Sequence, residues 1–259
     1  MAYTLITGAS SGLGIEFAKL CAKDGHDLIL VARNAQKLNE VATAIKEEYG
    51  VKAVCFSCDL SDEKQIKNLY DDVKSCEYQV DQLINNAGFG YHKEFLSSDI
   101  SVQNSMINLN VSALVNLTYL FGKDMKARGF GKILNVSSLA AFCAGPYMSV
   151  YFASKAFVLS FSNALAEEFK GTGVSITALC LGPTATGFEK NAKLTNSKMF
   201  KVFKVANPQK VARFGYKKMQ KGKANAFYGL QVKTLNVASK FLSRKMGAKF
   251  AKMVNGVPN

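Results

Sequence analysis

Residues 190–259 contain no Asp or Glu. Set against that absence are 17 Lys and Arg, while residues 1–189 carry 16 basic and 19 acidic side chains, so the net charge of +14 is concentrated in the last quarter. A balance of this kind suits an anionic surface or partner. Nucleic acid is not expected, because no recognition module accompanies the charge. Long apolar runs are missing too: no stretch of eighteen apolar residues occurs, and no charged leader precedes an apolar segment. This predicts neither a signal peptide nor a membrane span, and a cytoplasmic protein. Histidine is limited to His26 and His92, and the six cysteines have no regular spacing. Reduced thiols are therefore expected rather than a disulfide framework. Cys55 and Cys58 lack a second pair at zinc-ribbon spacing, which leaves them as ordinary residues at a strand end with no metal assigned. No interior repeat or low-complexity linker divides the chain, and 259 residues at 48% hydrophobic content suffice for one α/β domain.

What is present is an alternation of strands and helices. Tyr3 to Thr7 reads as a strand, followed by Gly8-Ala-Ser10-Ser11-Gly12-Leu13-Gly14 and a helix carrying Leu13, Phe17, Leu20 and Cys21 on one face. Strand, glycine-rich turn and helix together let a backbone close on a pyrophosphate, with the helix N-terminus supplying N–H groups and positive partial charge. The spacing G-x-x-x-G-x-G departs from the usual G-x-G-x-x-G fingerprint. Asp27 to Ala32 is the second strand, and Arg33 follows where a carboxylate would hold the ribose of NAD. A guanidinium there, with Lys37 one turn into the next helix, favours the 2′-phosphate of NADPH. A helix over Ala35 to Glu48, a strand over Val51 to Phe56, a helix opening at Ser61 and a strand over Val80 to Asn85 repeat the unit. Such alternation predicts an α/β fold, a doubly wound parallel sheet of Rossmann type, with ligands beyond the strand C-termini.

The chemistry centres on Ser138, Tyr151 and Lys155. Tyr151 and Lys155 share a helix face with a rise of about 6 Å between them. An ammonium beside a phenol is expected to lower its pKa from about 10 toward the working pH. Spacing alone is ambiguous, since Tyr70/Lys74 and Tyr119/Lys123 share it and Ser57 precedes Tyr70 by the same thirteen residues that separate Ser138 from Tyr151. Topology favours Ser138, which ends a fifth strand, Gly131 to Val136, on the half of the sheet opposite the adenine end.

Asp99 to Lys126 reads as one long helix, apolar on more than one face, either deeply buried or shared with another subunit. Asn110 lies inside it. A further helix runs from Ser149 to Lys170, and a sixth strand from Val174 to Leu179. Residues 187–223 read as a substrate flap and a helix starting at Asn207-Pro208, and Ala224 to Leu230 as a last strand. Phe142, Cys143, Pro146 and Met148 are expected to wall an apolar pocket. Residues 231–259 form a basic helical extension. Its stripe of Leu235, Ala238, Leu242, Met246, Phe250 and Met253 either docks inward under a solvated basic face or meets a membrane surface or anionic partner.

Taken together, Thr7-Gly8-x-x-x-Gly12-x-Gly14, Asp59, Asn85-Asn86-Ala87-Gly88, Asn110, Ser138, Tyr151-x-x-x-Lys155 and Gly182 to Thr186 resemble the classical short-chain dehydrogenase/reductase family over nearly the whole chain. Leu181 departs from the family's usual proline. The resemblance implies that Tyr151 is the general acid, Ser138 orients the substrate oxygen, Lys155 binds the nicotinamide ribose, and Asn110 holds a water linking Lys155 to solvent. It implies that Asp59, with Leu60 beside it, contacts adenine, that Asn86, Ala87 and Gly88 line the ribose, and that Gly182, Thr184 and Thr186 meet the nicotinamide or pyrophosphate. It further implies a homodimer or homotetramer through the long helices. The expected activity is NADPH-dependent reduction of a ketone or aldehyde, or the reverse, on an apolar substrate or one with an anionic carrier. A nucleotide-binding scaffold or sensor acting through the basic C-terminal region is the alternative.

Overall fold

Strand β2 (Asp27–Ala32) is buried at every position, as a parallel strand covered on both faces requires. In the computed structural model, which describes residues 2–192, 194 and 197–256, it lies between β1 (Ala2–Thr7) and β3 (Ala53–Ser57). With β4 (Gln79–Asn85), β5 (Gly131–Val136), β6 (Val174–Cys180) and β7 (Asn225–Phe227), the sheet runs β3-β2-β1-β4-β5-β6-β7, parallel throughout. Strand order reverses between β1 and β4, so their C-terminal ends open a crevice there.

Alternate residues of each strand feed two cores. Ile6, Leu28, Leu30, Leu134 and Leu179 pack with Phe17 of α1 (Gly12–Lys23), Leu38 of α2 (Ala35–Tyr49) and Met219 of α9 (Pro208–Gln220). Leu5, Ile29, Leu83, Ile133 and Ile176 pack with Leu69 of α3 (Glu63–Ser75) and Phe121 of α5 (Ala113–Arg128). Local signals set the ends. Asn34, Asp62 and Asn207 accept backbone hydrogen bonds as N-caps, and Gly50 closes α2 at φ +71.

Two stretches gain detail and two expectations, the extent of the last strand and a single C-terminal helix, need correction. The expected helix over Asp99 to Lys126 is present without a break, as α4 (Ile100–Ile107), one wide π turn over Asn108–Ser112 and α5. The extra residue in that turn swings the buried Asn110 side chain onto the backbone of Phe89. The last strand ends at Phe227, because Gly229 takes φ +83 and starts α10 (Leu230–Ala238). Between β6 and α9 the described residues hold two short helices, α7 (Phe188–Asn191) and α8 (Met199–Val202). Residues 231–254 are not one helix. Ser243 caps a separate α11 (Arg244–Asn255), and the break turns the predicted stripe outward, with Leu242, Met246, Phe250 and Met253 between 42% and 61% exposed. Ala251, Val254 and Asn255 are the buried residues of α11. Among the described residues, no helix is long and apolar enough to cross a membrane.

Candidate active site

The turn after β1 is held open by its glycines. Gly8 and Gly12 have φ of +65° and +53°, and a Cβ on Gly14 would lie 2.1 Å from the Gly8 carbonyl oxygen. The backbone therefore passes α1 with no room for side chains. Ser11, the α1 N-cap, makes no side-chain hydrogen bond to the first turn. Those N–H groups are presented toward the crevice with the helix dipole behind them. Ser10 and Leu13 flank them, and Thr186 approaches from the segment after β6, 2.9 Å from where a Gly12 Cβ would sit. A backbone cradle of this form fits the pyrophosphate of a dinucleotide.

Arg33 and Lys37 are exposed beyond the end of β2. Across from them, burial alone would raise the Asp59 carboxyl, but two hydrogen bonds from Ser61 and the Arg33 charge together hold it below the usual range. Leu60 beside it is buried. Asn86 donates to the Thr7 and Gly8 carbonyls, and the Asn86 and Ala87 N–H groups donate to Thr7 Oγ1, which ties the end of β4 to the glycine turn. A Cβ on Gly88 would lie 2.9 Å from Asn110 Oδ1 and 3.4 Å from Lys155 Nζ. Only glycine leaves those two polar groups facing the crevice.

Ser138 leaves β5 in an extended conformation, and its Oγ accepts from the Ala140 N–H at 3.1 Å, so its own proton is directed elsewhere. It faces Tyr151 on α6 (Ser149–Glu168). Lys155, one turn further on, is 6% exposed and donates from Nζ to the Val136 carbonyl at 2.9 Å. Burial pushes the lysine down to about 8, partly opposed by the neighbouring Cys180 thiol. Burial also pushes the Tyr151 phenol up to about 12, and the Ser138 hydroxyl offsets only part of this. The sequence-based expectation of a lowered tyrosine is thereby corrected in the protein alone. Nζ sits 5.9 Å from the centre of the Tyr151 ring and is committed to a carbonyl, so desolvation by Phe188, Phe152 and Met148 outweighs its charge.

The rival tyrosine sets are elsewhere. Tyr70 and Lys74 both bond Asp124 on α5, at 3.1 and 3.0 Å, and Ser57 donates to the Arg33 carbonyl. Tyr119 is 67% exposed. One pocket gathers Gly8, Gly12, Asn86, Ser138, Tyr151, Lys155 and Thr184, and its outer wall is Met148, Phe188, Leu194 and Met199. Of the four wall residues expected from sequence, only Met148 lines it. Phe142 turns toward Phe227 and Val232, Cys143 packs under α11, and Pro146 presents its carbonyl to Asn255. Gly182 lies against Leu139 and Gln231, and Thr184 bonds the Gly182 carbonyl.

Sequence reasoning passed over the polar relay that seats α6. Asn85 donates to Asn135 and Thr118, Asn135 donates to Ser162, and Ser137 donates to the Lys155 carbonyl, all buried. The signal available was two asparagines near the ends of otherwise apolar strands. Glu189, the pocket's carboxylate, was also missed.

Three comparisons bear on this geometry. A match to the short chain dehydrogenase family covers residues 2–197. A ketoacyl reductase from Nostoc sp. is 33% identical over 196 residues, 75% of this chain and 68% of that protein. The very-long-chain 3-oxoacyl-CoA reductase of Anas platyrhynchos is 33% identical over 198 residues, 74% of this chain and 62% of that one, so the matched region falls short of two thirds of the relative's length. Among solved structures, a short-chain dehydrogenase from Sphingobium yanoikuyae in complex with NADPH superposes with a TM-score of 0.84 at 27% identity, covering 93% of this chain and 94% of that one. A dinucleotide-shaped cradle, a serine–tyrosine–lysine cluster at the end of β5 and a sequence match across three quarters of the chain thus converge, and the protein belongs to the short-chain dehydrogenase family of oxidoreductases.

Proposed function

We propose that the protein is an NADPH-dependent reductase of an apolar carbonyl compound, with a 3-oxoacyl thioester as the favoured substrate class. The observation that carries this reading is the convergence of Ser138, Tyr151 and Lys155 on one pocket that continues into the Gly8–Gly14 cradle. Gly8, Ser10, Ser11, Gly12, Leu13 and Gly14 hold the pyrophosphate; Arg33 and Lys37 take the 2′-phosphate; Asp59 and Leu60 flank the adenine. Asn86, Ala87 and Gly88 line the ribose with Tyr151 and Lys155, while Gly182, Thr184 and Thr186 meet the nicotinamide end. When bound, the nucleotide supplies the hydride.

The chain's own groups handle the oxygen and its proton. A phenol pushed up to about 12 is fully protonated at neutral pH, which is the form a proton donor to a developing alkoxide needs. Ser138 donates a second hydrogen bond to the same oxygen, lowering the energy of the charge that forms there. Lys155 stays charged below about 8 and supports the tyrosinate that results. Asn110 bonds the Phe89 backbone in both directions and Ser154, which fixes the floor beneath Lys155. Met148, Phe188, Leu194 and Met199 favour an acyl chain. The names of the ketoacyl relatives point the same way.

NADPH consumption against matched 3-oxoacyl thioesters, aliphatic ketones and sugars tests the reading. Tyr151→Phe should lower turnover by about 10²–10⁴; an unchanged rate removes the assigned chemistry. Ile100, Ile107 and Tyr119 are exposed on α4 and α5 and Phe157 on α6, which supports a homo-oligomer through these helices, checked by sedimentation of the parent against Ile107→Asp.

A further inference from the structure

We propose that the outward face of α10 and α11 docks on an anionic lipid surface. This goes beyond the assigned chemistry and does not depend on it. The face carries Leu230, Val237, Phe241, Leu242, Met246, Phe250 and Met253, exposed from 42% for Phe250 to 84% for Phe241. Met246, Phe250 and Met253 follow one another at helical spacing on α11, and Lys245, Lys249 and Lys252 form the adjoining exposed stripe one residue away. Lys233, Lys240 and Arg244 extend the charge along the same segment, in a region with no carboxylate from residue 190 onward.

The inner face of α11 is already used. Ala251 packs with Met148, Phe152 and Leu194 of the pocket wall. Asn255 donates to the Pro146 carbonyl at 2.8 Å, and Ser197 donates to the Val254 carbonyl at 3.3 Å. The outward apolar stripe is left largely in solvent, from 42% exposed at Phe250 to 84% at Phe241. Its large apolar side chains flanked by lysines, with no acid of their own, complement a surface that is apolar a few Å beneath a layer of negative charge. An acidic soluble partner would match the lysines but leave Phe241 and Met253 without a purpose. Because Ala251 of α11 packs behind the pocket-wall residues Met148, Phe152 and Leu194, docking brings the pocket close to the lipid, where an acyl substrate would be concentrated.

The test is co-sedimentation of the full chain with vesicles of phosphatidylglycerol and phosphatidylcholine in equal parts, against phosphatidylcholine alone, at low and high salt. Binding is expected to the anionic vesicles only and to weaken as salt rises. Each lysine near the surface strengthens partition about fivefold, so Lys245→Gln with Lys249→Gln should weaken it by about 25-fold, and Phe241→Ser with Met246→Ser should abolish it. Both variants should keep the parent's melting temperature, which separates lost docking from lost folding. No carbonyl turnover enters the readout, so this outcome is independent of the proposed reductase activity. The proposal is overturned by no binding to anionic vesicles at low salt, by equal binding to phosphatidylcholine, or by variants that bind like the parent. It is overturned equally if the parent instead forms a dimer that Phe241→Ser dissociates, or binds an acidic soluble protein and no vesicle.

Discussion

Replacing Lys155 by Met should stabilise the nucleotide-free protein while destroying its activity. The lysine is 6% exposed, and burial brings it from 10.5 to about 8. At about 1.4 kcal/mol per pH unit, keeping it charged below pH 8 costs the folded state about 3 kcal/mol relative to the unfolded chain. Methionine removes that cost and loses the hydrogen bond to the Val136 carbonyl, a loss of about 1 kcal/mol. The net gain at pH 7 is about 2 kcal/mol, or a rise of about 4–8 °C in melting temperature for a chain of this size. Between pH 8 and 10.5 the unfolded lysine still holds its proton while the folded one has released it, so stability of the parent climbs with pH through this window. The advantage of Lys155→Met is therefore full below pH 8 and gone by about 10.5. Thermal melts of the nucleotide-free proteins from pH 6.5 to 10.5 measure it, beside a carbonyl-reduction assay in which the variant should fall by at least about 10². A variant less stable than the parent at pH 7, or a difference that does not change with pH, would refute the reasoning.

Three further outcomes follow, the first from the proposed 2′-phosphate site and the other two from contacts seen in the structure. Arg33→Ala should raise the KM for NADPH by about 10- to 100-fold and leave that for NADH unchanged, because a charged hydrogen bond to phosphate contributes about 1.5–3 kcal/mol; steady-state kinetics with both nucleotides decide it. Asn110→Leu leaves the Phe89 N–H and carbonyl without partners and should cost about 2–4 kcal/mol in urea unfolding, with an unchanged midpoint counting against the role of the π turn. Gly14→Ala places a methyl group 2.1 Å from the Gly8 carbonyl oxygen, so nucleotide binding measured by calorimetry should be lost; retention at parental affinity would show that the turn can yield.

Most strands and the order of chemistry-bearing motifs were legible in the chain because their signals are local. Apolar runs such as Leu28 to Ala32 and caps such as Asn34 and Asn207 act within a few residues of themselves. The glycine turn was legible for the same reason, since a positive φ at Gly8 and Gly12 answers to the residue itself. The relay from Asn85 through Asn135 to Ser162 was not, because it joins residues up to 50 positions apart that no spacing rule connects.

By itself, then, the sequence determined the alternating parallel architecture, the glycine-rich turn after β1, the spacing of Ser138, Tyr151 and Lys155 and the location of the positive charge. Tertiary structure decided between two tyrosines with equal spacing, by tying Tyr70 and Lys74 to Asp124 and placing Tyr151 and Lys155 in the pocket. It also reversed the expected tyrosine shift, since desolvation depends on what surrounds a group and not on its neighbour four residues along. The C-terminal stripe shows the same division. Helical periodicity identifies which side chains share a face, but only the break before Ser243 and the seating of Ala251 against the pocket decide that this face looks outward.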